Sequence, residues 1–230
     1  MTRRSAQAAG FTLIELAIVV AVIAAMVAVA GPLLSRSRPR ASLATTTAEL
    51  QSFIHFARQS ALASGDDVAV LVFPDWASAN GAQQGRLVIY RDGSPARDFF
   101  NAGVVVRFDG YKPDELKAGT RSAVIATMEL PSGITIGPLA GTGVVPKAPL
   151  DKVKVDSFCS FCTTTAGDRR GAIRFDPHGR ATFYGNAATP ETPVVVTGGA
   201  SLSLQANGVQ GGRTLVITAV AGTVQALENG

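Results

Sequence analysis

The chain begins with a short polar stretch and then turns apolar. From Phe11 to Leu34, FTLIELAIVVAVIAAMVAVAGPLL, the only charge is Glu15. As a helix this run is about 36 Å long, enough to cross a hydrocarbon core of about 30 Å. Lipid offers the backbone no hydrogen-bond partners, so a run in that setting is expected to be helical. Polar residues then appear, but Leu43, Thr47, Leu50, Ile54, Ala57 and Ala61 recur at three- and four-residue spacing. Phe53 and Leu62 widen that stripe, which predicts that the same helix continues as an amphipathic segment over 35–64. From residue 11 to about 64 the helix is on the order of 80 Å long. Gly65 and Asp66 supply its stop.

Beyond Asp67 the pattern turns to short β-branched runs. Val68–Phe73, Arg86–Tyr90, Val104–Phe108, Ala123–Leu130 and Ile134–Ile136 form a first group. Ala172–Phe175, Ala181–Tyr184, Val194–Val196, Ser201–Leu204, Arg213–Ala219 and Thr223–Leu227 form a second. Turn signals such as Asn80-Gly81, Asp92-Gly93, Asp109-Gly110 and Pro131-Ser132-Gly133 separate them. A single helical turn at Pro113–Lys117 is the one exception. With no crossover helix between the strands, the sheets are expected to be antiparallel. Residues 137–168, rich in Gly, Pro and Thr, read as a long surface loop. The expected fold class is α+β: a long N-terminal helix packed on one antiparallel sheet or a two-sheet globular domain. No internal repeat is visible.

The apolar run admits ordinary readings. A cleaved secretory signal has a shorter core and small residues after it. Here Ala8, Ala9 and Gly10 stand before the run, so a cut there leaves the hydrophobic helix on the mature chain. A plain membrane anchor explains the length but not Glu15, since a carboxylate in a bilayer is costly and commonly functional. A buried soluble helix rarely stays apolar all round for so long. The positive-inside rule favours neither end, because Arg3 and Arg4 precede the run while Arg36, Arg38 and Arg40 follow it.

The string Gly10-Phe11-Thr12-Leu13-Ile14-Glu15-Leu16, behind a short basic leader, resembles the processing and methylation site of type IV pilin-like proteins. That group includes the pseudopilins of type II secretion. The resemblance implies a leader over 1–10 held in the cytoplasm, cleavage between Gly10 and Phe11 by a prepilin peptidase, and N-methylation of Phe11. It implies an inner-membrane helix over 11–34 and a periplasmic β-rich domain over 65–230. It assigns Glu15 to pairing with the amino terminus of a neighbouring subunit during assembly. An unpaired carboxylate in lipid is destabilised, and a neighbour's ammonium group relieves that cost. Pro32, with Gly31 beside it, matches the family's outer-helix proline, which kinks or locally melts the helix. Ala57-Arg58-Gln59-Ser60-Ala61 followed by Gly65-Asp66 is similar, with Gln59 inserted, to the end of the long helix in GspH- and FimT-type subunits. Phe175-Asp176-Pro177-His178-Gly179 resembles a late turn of GspH-type domains. The implied partners are other pilins or pseudopilins, the peptidase and the inner membrane, and the implied role is structural.

Composition adds two points. The 230 residues carry a formal charge of +4. With Arg3, Arg4, Arg36, Arg38, Arg40 and Glu15 set aside, basic and acidic residues are equal in number, so the excess charge sits beside the apolar run. There it can contact anionic headgroups. The two cysteines, Cys159 and Cys162, lack the second pair that a structural zinc site of about four ligands needs. A disulfide closing a small surface loop suits an exported domain, and two free thiols are the alternative.

Nothing in the sequence forms a catalytic constellation, and neither a metal nor a cofactor is expected. His55 reads as a half-buried residue on the helix flank and His178 as an exposed turn tip. Arg169, Arg170, Arg174 and Arg180 are the densest basic cluster of the domain, diluted by Asp168 and Asp176. They are the candidate contacts of an alternative, a DNA-uptake minor pilin of the FimT type. DNA-binding members of that group carry a Gly-Arg-x-Arg motif. Gly179-Arg180-Ala181-Thr182 lacks its second arginine, and Gly222-Thr223-Val224-Gln225 lacks both. Non-specific affinity depends on the number of phosphates neutralised, so a neutral domain argues against nucleic acid as a partner.

Overall fold

The computed structural model describes residues 12–77, 85–93, 123–137, 150, 153, 158–162, 169–185, 198–209, 211–219 and 221–229, without the side chains of 29–37 and 229. The expected strands Val104–Phe108 and Val194–Val196 and the turn Pro113–Lys117 lie outside these residues. The chain divides into two compact units, Met1–Arg38 and Pro39–Gly230. One helix, α1 (Leu13–Ser64), contributes to both. Its backbone stays helical through Gly31 and Pro32, so the helix is not melted there. It ends where Gly65, at φ 71°, donates its N–H to the Ala61 carbonyl. Glycine takes that left-handed conformation without a Cβ penalty.

The second unit holds nine strands among the described residues: β1 Asp67–Phe73, β2 Arg86–Asp92, β3 Ala123–Glu129, β4 Ile134–Ile136, β5 Gly171–Phe175, β6 Ala181–Gly185, β7 Gly199–Ala206, β8 Gly212–Thr218 and β9 Val224–Asn229. They form two antiparallel sheets. The first has the order β3-β2-β1-β5-β6 and the second β4-β7-β8-β9. The α+β class and the antiparallel pairing stand as expected. The two-sheet form is the one adopted.

Strand alternation sorts the side chains. Val68, Val70 and Val72 of β1 enter the main core with Leu87 and Ile89 of β2, Ile173 and Phe175 of β5, and Phe183 of β6. The second sheet contributes Ile134, Leu202, Leu204, Leu215 and Ile217, and α1 contributes Leu43, Leu50, Ile54, Ala57 and Ala61. The opposite face of the first sheet builds a separate cluster from Ala69, Leu71, Phe73, Val88, Tyr90, Ala172 and Tyr184. This is why β1 is buried along its whole length.

The stripe read from α1 is the buried one, with one correction. Leu62 is 48% exposed and does not widen it, whereas Phe53 packs against the core. Two polar contacts fix α1 on the sheets. Gln51 Nε2 donates to the Val224 carbonyl at 3.0 Å and Arg58 Nε donates to the Gly179 carbonyl at 3.2 Å. Around Arg58 two turns converge: a Cβ on Gly222 would stand 2.7 Å from the Gly179 carbonyl oxygen and 3.1 Å from Arg58.

The segment carrying the cysteines requires a larger correction. Of the expected surface loop over 137–168, the described part 158–162 is built into the core. Phe161 is fully buried, 5.5 Å from the Phe183 ring, and Cys159 is 5% exposed. Cys159 bridges to Leu202, Ser160 N–H donates to the Ser201 carbonyl, and Ser203 N–H donates to the Phe158 carbonyl. The short run thus pairs with β7 beside the stretch that β4 occupies. Phe158 and Phe161, one ahead of each cysteine, make burial favourable where the surrounding composition suggests a loop.

Candidate functional site

The N-terminal turn of α1 is built by its own sequence. Thr12 donates from its backbone N–H and from Oγ1 to Glu15 Oε2, each at 3.0 Å. Glu15 N–H donates back to Thr12 Oγ1 at 3.3 Å. This reciprocal arrangement is a capping box, which satisfies N–H groups that a helix start leaves without intrahelical partners. The Thr-x-x-Glu spacing ahead of an apolar run signals it in the sequence, but the sequence reading gave Glu15 a role in assembly alone. Gly10 and Phe11 lie outside the described residues, as does the side chain of Pro32.

Following the cap, Leu13, Ile14, Leu16, Ile18, Val19, Val20, Val22, Ile23, Met26 and Val27 are between 48 and 86% exposed. Consecutive positions such as Ile18, Val19 and Val20 point about 100° apart, so the helix is apolar all round. Each such side chain gains roughly 1.5–3 kcal/mol on full burial, a strong drive toward an apolar surrounding. Among the described residues no helix is long and apolar enough to cross a membrane. The stretch with described side chains, 12–28, spans only about 25 Å. The rest of the apolar run, 29–34, lies where side chains are not described.

In the second unit, Cys159 and Cys162 form a disulfide. Its setting is the core seam and not the surface expected. The four arginines named above do not form one surface. Arg169 grips Asp75, with Nη2 2.7 Å from Oδ1, Nε 3.0 Å from Oδ2, and its backbone N–H 2.9 Å from Oδ2. Its guanidinium also lies 3.9 Å from the centroid of the Phe158 ring. The hydrogen bonds from Arg169 hold the Asp75 carboxyl below its ordinary range, against the opposing effect of burial. Arg174 pairs with Asp67, which is 3% exposed, and donates to Tyr184 Oη at 3.1 Å. Burial opposes its charge, but the bonds to Asp67 and Tyr184 outweigh that and leave its pKa raised. Arg170 is buried, and Arg180 is exposed at the β5–β6 turn. Proximity in sequence brought these residues together on paper, while in the fold carboxylates engage Arg169 and Arg174 and burial withdraws Arg170.

That turn is held by Asp176, whose Oδ1 accepts N–H bonds from His178 and Arg180, each at 2.9 Å. His178 is exposed at its tip, as expected. An open groove of about 580 Å³ lies between α1 and β3, lined by Phe53, Phe56, Ala48, Thr45, Ser52, Glu49, Thr127 and Met128. Among the described lining residues Glu49 is the one that titrates. No cluster of His, Cys, Asp and Glu among the described residues could hold a metal ion.

Comparison of the chain with protein families, with curated proteins and with solved structures found no match.

Proposed function

We propose that the chain is a minor pilin or pseudopilin of the GspH/FimT type, a structural subunit of a type II secretion pseudopilus or a type IV pilus. The observation that carries this reading is the start of α1: a helix apolar on every side, exposed, and interrupted only by Glu15. A helix of this kind is at home in lipid or in a bundle of its own kind, and a bare one in water is unfavourable. The prepilin-like string Gly10–Leu16 adds support from the sequence. In this reading the chain enters the inner membrane once, is cut after Gly10, and carries its β-domain in the periplasm. Its work is assembly without catalysis. Helices bundle through the apolar stem, Glu15 sets their register, and the β-domain faces neighbours or cargo. Neighbouring pilins and the prepilin peptidase are its partners. The DNA-uptake alternative draws little from the arginine cluster, since Arg169 and Arg174 are already engaged by carboxylates and Arg170 is buried.

Maturation tests the proposal. Mass spectrometry of the full chain isolated from membranes is expected to give an N-methylated Phe11 terminus, and Gly10→Val is expected to block processing. A wild-type chain that keeps residues 1–10, or one cut elsewhere, would overturn the reading.

A further inference from the structure

The Cys159–Cys162 disulfide sits where a surface bridge has no reason to be. Between the cysteines, Phe161 is fully buried against Phe183. Gly171, the first residue of β5, has no room for a side chain: a Cβ there would stand 2.7 Å from both Cys162 Sγ and Phe161. On the other side, Ser160 and Phe158 exchange backbone hydrogen bonds with Ser201 and Ser203 of β7, and Ser201 N–H donates to Ser160 Oγ at 2.8 Å. The Cys159–Cys162 turn therefore touches the first sheet at β5 and β6 and the second at β7. It is a wedge in the seam between them.

We propose that this disulfide is an oxidation-gated latch, holding the 158–162 turn in the seam so that the domain completes its core only where a disulfide donor is present. The proposal does not depend on how the stem is used. The wedge is only five residues long, and closing it forces Cys159 and Cys162 into one compact turn, with the Cys162 N–H donating to the Cys159 carbonyl at 3.3 Å. Without the bond, the turn gains alternative conformations that bury neither sulfur.

In the open, reduced chain one cysteine thiolate attacks an external disulfide, which releases one external thiol and leaves a mixed disulfide. The other cysteine then attacks the protein sulfur of that mixed disulfide and expels the second external thiol. Two electrons pass to the external disulfide, and both thiol protons leave with its products. Exposure tells the two sulfurs apart once the turn has closed: Cys162 is half-buried and Cys159 is buried. The reverse step is disfavoured once the turn has docked. A thiolate attacking Cys162 would have to expel Cys159 as a thiolate into an apolar seam, where that charge is destabilised. Closure is thus close to one-way under native conditions.

The test is hydrogen exchange on the full chain in detergent micelles, followed by mass spectrometry of peptides covering 158–162, β7, β1 and β2. The oxidised protein is compared with chain refolded in dithiothreitol and with the Cys159→Ser/Cys162→Ser double variant. Exchange in 158–162 and β7 is expected to rise on the order of tenfold or more in both, with β1 and β2 unchanged. Oxidised glutathione added to the reduced chain is expected to restore protection, but not in the double variant. Unchanged protection of 158–162 without the bond would overturn the latch. So would loss of protection throughout β1 and β2, which would make the bond a general requirement for folding.

Discussion

Asp75 receives both the guanidinium and the backbone N–H of Arg169, a residue distant in sequence. That grip lowers the carboxyl pKa from its ordinary value of 3.8. A carboxylate with a depressed folded-state pKa contributes stability that is fully present above the unfolded value and is lost as pH falls through the folded one. Asp75→Asn is therefore expected to lower the melting temperature at pH 7. The two-pronged geometry places the loss near 1 kcal/mol, the upper end for an exposed ion pair, or roughly 2–4 °C. As pH falls from 3.8 toward the lower folded-state value, the wild-type carboxyl also takes up a proton, and the gap between the two proteins is expected to narrow and then close. Thermal unfolding of both from pH 7 to pH 3 checks this, and a gap independent of pH would refute it. Neither Asp75 nor its partner could be matched from sequence, because the contact depends on how β1 and β5 pair. The capping box of Thr12 and Glu15 is the opposite case, wholly local and legible from four letters.

Among the elements, the turns that meet α1 are the most tightly specified. Gly222, at φ 56°, abuts the Gly179 carbonyl and Arg58, while Gly208, at φ 76°, has open space where a Cβ would go. Alanine costs about 1–2 kcal/mol at either site through backbone conformation alone. Gly222→Ala adds a clash with backbone, so it is expected to lower the melting temperature by several degrees more than Gly208→Ala. Equal losses would mean that the convergence around Arg58 is loose. Strands were legible here because runs such as Val68–Phe73 and Arg213–Ala219 are β-branched and bounded by turn residues. Their order was not, since β5 lies beside β1 and β3 lies at an edge through pairings that no local pattern encodes. The docked run Phe158–Cys162 was misread because its Gly-, Pro- and Thr-rich surroundings outweighed its two phenylalanines. Leu62 was misread for a simpler reason: an apolar residue one position off the stripe can face water at little cost.

For the whole molecule, the division of labour follows polarity: an apolar stem bearing one carboxylate, then a domain in which basic and acidic residues balance. In the proposed assembly, Glu15→Ala is expected to insert in the membrane as wild type does, yet fail to join a filament. A photo-crosslinking residue at Phe56, which is 47% exposed on α1, reads this out in living cells. Wild type is expected to capture pilin-like neighbours, and the variant to lose most of that capture. Equal capture by the variant would remove Glu15 from register setting. The anchors at Gln51 and Arg58 bear on what such an assembly must withstand. They are two helical turns apart, about 10 Å along the axis, and each ends on a backbone carbonyl of a different strand connection or strand. The apolar interface of α1 resists sliding through the interlock of side chains such as Leu50 and Ile54, and the polar anchors add directional bonds to it. The two polar anchors are loaded in shear and lie on one face of the helix. A thrust delivered along α1 therefore has to break both together before the helix can slip against the sheets, which makes this part of the protein a rigid coupling rather than a lubricated one.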